Sequence, residues 1–327
     1  MTTPETTTPG RGSADPADGA APSAEHRTAQ DRAPEDPGFV ETPPAEPLPV
    51  PDLAEKRSRA GRDLPAAIAV AVVLGALVVV PLYSPARWVF VAVVAVAAAV
   101  GTREIVLALR ELGAAPPLVP LAVGGAATVV LAYREGAEAL FLGLALTVLA
   151  CLVWRLADPA DGYLRDVAAT ALVAAYVPFL AGFAVLLTAP PDGPRRVTAF
   201  VVAVVCSDVG GYALGVLVGK HPMAPSVSPK KSWEGFAGSL LLAGVGGAVL
   251  FLVMFDDVSP LLGVVFGLAM VVTATLGDLG ESMIKRDIGV KDLGTLLPGH
   301  GGLMDRLDSL LPSAPVAWLL LTAFVPL

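Results

Sequence analysis

Charge is scarce in this chain of 327 residues: Asp, Glu, Lys and Arg make up 16% of it, against about 25% in soluble domains. Hydrophobic residues reach 54%, and the mean hydropathy is +0.68. That balance argues against a soluble globular protein and for an integral membrane one. Cysteine is nearly missing. Cys151 and Cys206 each sit alone inside an apolar run, so no cysteine metal cluster or disulfide framework is implied. Strand-like alternation is absent and the apolar runs are too long for strands, which argues against a β-barrel. No internal repeat is evident. Nor is a secretory signal, because the first apolar run begins only near Leu64 and lacks a cleavage region.

The net charge of −8 is unevenly spread. Residues 1–63 are rich in Pro, Thr, Ala and acids, as in Thr42-Pro43-Pro44-Ala45-Glu46-Pro47, with almost no large apolar side chains. Such a segment cannot bury a core and is expected to be a disordered cytoplasmic tail. Beyond it, runs of about 18 or more apolar residues predict membrane-spanning helices. They fall near 65–83, 87–107, 116–133, 138–155, 166–188, 197–218, 236–255, 259–277 and 312–327. The expected fold is thus all-α and polytopic, with about nine spans. N-terminal helices cover 64–196 and a catalytic region covers 197–327.

Basic residues set the orientation. With the tail in the cytoplasm of a multi-pass cell-membrane protein, most arginines and lysines near span ends fall inside. Only Arg87, Arg134, Arg195 and Arg196 fall outside. Both long polar connections, 219–235 and 278–311, then face the cytoplasm.

Chemistry concentrates in those connections. Asp278, Ser282 and Lys285 are spaced by four and three residues, which puts them on one helical face. A carboxylate with a hydroxyl suits a hard divalent cation such as Mg²⁺. Taken alone, Asp278 reads equally well as an interfacial helix end, with Glu281 and Lys285 an exposed pair. Asp305 and Asp308 repeat the pattern around Arg306, or simply cap the last span. Three acids converging from 278, 305 and 308 imply bound metal. Pro298-Gly299-His300-Gly301-Gly302 reads as a turn whose N–H groups are open to an anion.

Asp208 stands inside an apolar run, where an ionisable group is expensive and usually functional. The neighbouring Gly210, Gly211, Gly215 and Gly219 equally suit close helix packing. Lys230 and Lys231, within Ser228-Pro229-Lys230-Lys231-Ser232-Trp233-Glu234-Gly235, fit a polyphosphate or a lipid headgroup, or act as positive flanks.

Together these residues resemble the integral-membrane phosphatidate cytidylyltransferases. The resemblance rests on Ser282, Lys285, Arg286, Lys291, Asp292, Gly294, Pro298, His300, Gly301, Gly302, Asp305, Arg306 and Asp308. The segments Ser207–Tyr212 and Ser228–Gly235 support it, with Ser232 where threonine is more usual. It covers roughly residues 65–327. It implies that CTP and phosphatidate give CDP-diacylglycerol and pyrophosphate at the bilayer. Asp278, Ser282, Asp305 and Asp208 would hold Mg²⁺, with K⁺ as a second cation. Asp278, Lys285, Asp305 and Asp308 would be catalytic. Lys230, Lys231, Arg286, Lys291, Asp292, His300, Gly301, Gly302 and Arg306 would bind substrate. A homodimer is expected, and no nucleic-acid partner.

Two other activities compete. A CTP-dependent lipid kinase would move the γ-phosphate instead of CMP. A transporter would place Asp208 on a substrate path and call for two matching halves, but there is one polar cluster on one face and no repeat.

Overall fold

A computed structural model describes residues 64–296 and 301–326. The tail, and with it the expectation of disorder over 1–63, lies outside the described residues. Among the described residues, nine apolar helices follow one another. They are α1 (Leu64–Leu82), α2 (Trp88–Glu111), α3 (Leu118–Glu135), α4 (Ala137–Arg155), α5 (Tyr163–Leu186), α6 (Gly193–Val218), α7 (Trp233–Met254), α8 (Pro260–Ile288) and α9 (Met304–Phe324). Among the described residues, the eight from α2 to α9 are long and apolar enough to cross a bilayer. The all-α polytopic expectation is met.

Departures from the expected spans have local causes. Helix α8 runs to Ile288, well past the polar boundary expected near 277. Glu281 at its polar end is buried against the protein, so polarity does not end the helix there. Gly289 ends it with φ 80°, its N–H bonding back to Lys285 and Arg286, and Val290 N–H also returning to Lys285. A side chain would strain that left-handed turn. The last helix starts at Met304 rather than near 312, with a break in its ladder between Leu307 and Leu310. Within α5, Ala175–Phe179 form a wide π-helical turn around Pro178, which lacks an N–H to donate.

The stretch 219–235 is not a plain loop. Short strands β1 (Pro222–Ala224) and β2 (Ser228–Ser232) pair antiparallel as a hairpin. Glu234 fixes its base by accepting from the Lys220 and His221 N–H groups, at 3.1 and 3.2 Å. Its carboxylate also meets His221 Nδ1 at 2.5 Å. Ser232 caps α7 by accepting from Gly235 N–H.

Helices α6, α7 and α8 approach along seams of small residues. A side chain at Gly210 would strike the Gly238 carbonyl, and one at Gly263 the Gly247 carbonyl. Lipid offers little hydrophobic drive for helix association, so such backbone contact holds the bundle. The packing expectation for the glycines around Asp208 is met. One buried cluster gathers Phe183, Phe200, Phe251, Phe266, Met270 and Leu321. A second gathers Ile105, Leu121, Val129, Val173, Val177 and Met304.

Three of the four arginines on the sparse side do more than flank a span. Arg196 is 2% exposed, pairs with Asp192, and donates to the carbonyls of Leu321 and Val325 at the end of α9. Arg87 donates to Pro190 and Pro191, and Arg195 to Met254.

Candidate active site

The end of α6, the hairpin, the start of α7, the far end of α8 and the start of α9 meet at one end of the bundle. Two adjoining pockets open there. The first, about 320 Å³, is walled by Asp208 from α6, Lys230 and Lys231 from β2, and Asp278 from α8. Tyr212, Met223 and Phe236 supply apolar surface, and Gly211, Gly215 and Gly235 let α6 and α7 come close at its wall. Lys231 pairs directly with Asp278. Ser239 anchors the wall by donating to the Ser207 carbonyl at 2.6 Å.

The second pocket, about 240 Å³, is lined by Ser228, Lys230, Ser282, Lys285, Arg286 and Lys291. Lys230 borders both. Arg286 ties the hairpin to α8 by donating to the Val227 carbonyl at 3.3 Å. One cavity thus carries two carboxylates and two lysines between apolar helices, and every charged residue lining the next is a cation.

Beneath the cationic pocket lies a buried ion triad. Lys285 Nζ donates to Glu281 Oε1 at 2.9 Å and to Asp305 Oδ1 at 3.0 Å. Both carboxylates are withdrawn from solvent, with side chains 0% and 6% exposed. The pairing of Glu281 with Lys285 is therefore not the exposed one that helix spacing allows. Two of the three ammonium hydrogens are used by the protein, leaving one for the pocket. Asp305 also accepts from Leu293 N–H at 3.2 Å and Gly302 N–H at 2.7 Å.

The predicted acids divide between two settings. Asp208 and Asp278 share the first pocket, while Asp305 is held against Lys285. Asp308, half-buried, accepts from Ser309 N–H and lies within electrostatic range of Asp208, Asp278 and Glu281. Lysines stand beside the acids: Lys231 at Asp278 and Lys285 at Asp305. Among the described residues, no three His, Cys, Asp or Glu side chains close around a common point. The donor set still fits Mg²⁺, because Asp208 and Asp278 present hard oxygens to one cavity. The buried Glu281 Oε2 has no hydrogen-bond partner.

Arg306 is exposed on the first turn of α9, and Lys291 and Asp292 are exposed on the connection before it. Gly301 has φ 79°, and a side chain there would meet Asp305 and Asp292. Gly302 is buried beneath. His300, Pro298 and Gly299 lie outside the described residues.

Two residues at the site escape a reading of the sequence. Glu104 of α2 accepts from the N–H groups of Leu303 and Met304 at 3.0 and 2.8 Å. The only signal is an acid inside an apolar run, next to an arginine that passes for a membrane flank. Tyr176, on the π-helical turn, buries an unpartnered hydroxyl within electrostatic range of Glu281, Asp308 and Asp278.

Comparison with known proteins supplies the context. The cytidylyltransferase family matches residues 65–324. The phosphatidate cytidylyltransferase of Mycobacterium tuberculosis (strain H37Rv) is 47% identical over 283 residues, which is 82% of this chain and 85% of that protein. Its namesake in Mycobacterium leprae is 47% identical over 281 residues, 81% of this chain and 89% of that one. A namesake from Pseudomonas aeruginosa matches at 43% over 140 residues, 42% of this chain and 52% of its own.

Proposed function

The chain belongs to the cytidylyltransferase family, and from that premise we propose that this membrane enzyme transfers CMP from CTP to phosphatidate, releasing pyrophosphate. The observation that carries the chemistry is the pairing of the two pockets. A cavity with apolar walls, two carboxylates and two lysines adjoins one whose charged residues are all cations, and Lys230 is shared between them.

A phosphate oxygen of phosphatidate attacks the α-phosphorus of CTP. A new P–O bond forms, and the bond to the β-phosphate oxygen breaks. The nucleophile is already anionic near neutral pH, so no strong base is needed. The barrier lies in bringing anions together and in charge growing on the leaving group. Lys230, Lys285, Arg286 and Lys291 ring the space that suits the β- and γ-phosphates, and they answer the growing charge. Glu281 and Asp305 hold the Lys285 ammonium in place, so little reorganisation accompanies the transfer. The apolar side of the first pocket, with Tyr212 and Phe236, suits the glycerol end of the lipid.

The reading takes Mg²⁺ as cofactor held by Asp278 and Asp208, with K⁺ as a second cation; Ser282 stands in the adjoining pocket and Asp305 is committed to Lys285 and two backbone N–H groups, so neither is assigned to the ion. When bound, the metal would supply charge neutralisation on the triphosphate. The reading also places this end of the bundle and the N-terminus in the cytoplasm of the cell membrane, as the basic residues indicate.

Labelled CTP tests the reading. Purified protein with phosphatidate should move label from the α-phosphorus into lipid and label from the γ-phosphorus into pyrophosphate. Label from the γ-phosphorus in the lipid would mark a CTP-dependent kinase instead.

A further inference from the structure

Glu104 lies on α2, beside Ile105 and Val106 of the second buried cluster. It is 5% exposed. Its two carboxylate oxygens divide their work: Oε1 accepts from Leu303 N–H at 3.0 Å and Oε2 from Met304 N–H at 2.8 Å. Gly294 and Gly302 close over the same carboxylate, and a methyl group on either would collide with it. The next N–H groups go to a second acid. Gly302 N–H and Leu293 N–H donate to Asp305, whose Oδ1 also receives Lys285.

The opening turn of a helix leaves N–H groups without partners in its own ladder. Here Glu104 of α2 takes the Met304 N–H and that of Leu303 before it, while Asp305 takes those of Gly302 and Leu293 upstream. Asp305 is therefore held by the fixed residues just before it, and Lys285 is held by Asp305. The chain of contacts runs from Glu104 through residues 302–304 to Asp305, then to Lys285 and the cationic pocket.

We propose that Glu104 is a positioning residue for the transfer: it holds residues 302–304 so that Asp305 aims Lys285 at the nucleotide phosphates. This rests on reading the cationic pocket as the phosphate site. Glutamine is not an adequate substitute. Its amide offers one acceptor oxygen to two N–H donors, and its NH₂ would face one of them.

The test is CTP binding by equilibrium dialysis with labelled nucleotide, on detergent-solubilised full-length protein. Four proteins are compared: the parent, Glu104→Gln, Asp305→Asn and the double variant. Failure of the parent to bind CTP would overturn the functional reading itself. With parental binding secured, each single change is expected to weaken affinity about tenfold, the effect of orphaning a buried hydrogen-bonding group. The double variant should be little weaker than the poorer single one, because both changes act on the same contact chain. Multiplying effects, about a hundredfold in the double variant, would show that Glu104 does not act through Asp305. Glu104→Asp keeps the charge but shortens the reach, and it serves as the second variant. Parental CTP affinity in either folded Glu104 variant overturns the proposal. So does failure of both to fold, since Glu104 would then serve the bundle rather than the site.

Discussion

Replacing Asp278 by asparagine separates what the carboxylate does for the fold from what it does for the reaction. Asp278 pairs with Lys231 across the mouth of the first pocket, and the two side chains are 38% and 25% exposed. An ion pair that open contributes at most about 1 kcal/mol to stability, because solvent screens it. The change also removes a like charge facing Asp208 and Asp308, which offsets part of even that loss. Asparagine keeps the shape and can still accept from Lys231. The thermal midpoint of Asp278→Asn in detergent should therefore stay within a few degrees of the parent. Turnover should not. On the proposed reading of Asp278 as a cation ligand, its loss is expected to lower the rate about 10²-fold or more, roughly 2.7 kcal/mol of transition-state stabilisation. The assay counts labelled CMP appearing in extracted lipid at saturating CTP, with melting followed on the same preparation. Turnover within about threefold of the parent, under half a decade, would remove Asp278 from the site. A matching collapse of the thermal midpoint would show that the residue serves the fold instead.

Lys285→Met should behave in the opposite way and destabilise the protein by about 3 kcal/mol, since it strands Glu281 and Asp305 as buried acids without their cation. A thermal midpoint equal to the parent's would refute the triad. Arg196→Met leaves the Leu321 and Val325 carbonyls without their donor, and a loss of about 1–3 kcal/mol is expected. Its turnover at low temperature should match the parent, because Arg196 lies at the far end of the bundle; a selective loss of activity would contradict that. Gly263→Leu drives a side chain into the Gly247 carbonyl and should cost about 1–3 kcal/mol or more. Full yield of folded, monodisperse protein would mean the α7–α8 seam is loose.

The spans were legible because an apolar run of bilayer length has few alternatives to a helix. Their polar ends were not. Hydropathy stops at Gly277, yet α8 continues for three more turns because Glu281 and Lys285 find partners inside the protein. Composition cannot distinguish a charge that meets water from one that meets a buried counter-charge. The same blindness hides Glu104, whose partners lie about two hundred residues away. Side by side with Arg103 it reads as ordinary membrane flanking.

Residue types that promise chemistry also turn out to have two kinds of duty. In Ser228–Gly235 Lys230 lines both cavities and Lys231 the first, but Ser232 caps α7, Glu234 closes the hairpin and Gly235 admits α6. The acids split in the same way: Asp208 and Asp278 wall a cavity, whereas Glu281 and Asp305 face inward and hold Lys285. A run of polar letters records that a site exists. Which of them touch substrate depends on where each finds its hydrogen-bond partner. At this site, the groups whose partners come from distant helices are the ones that hold the others still.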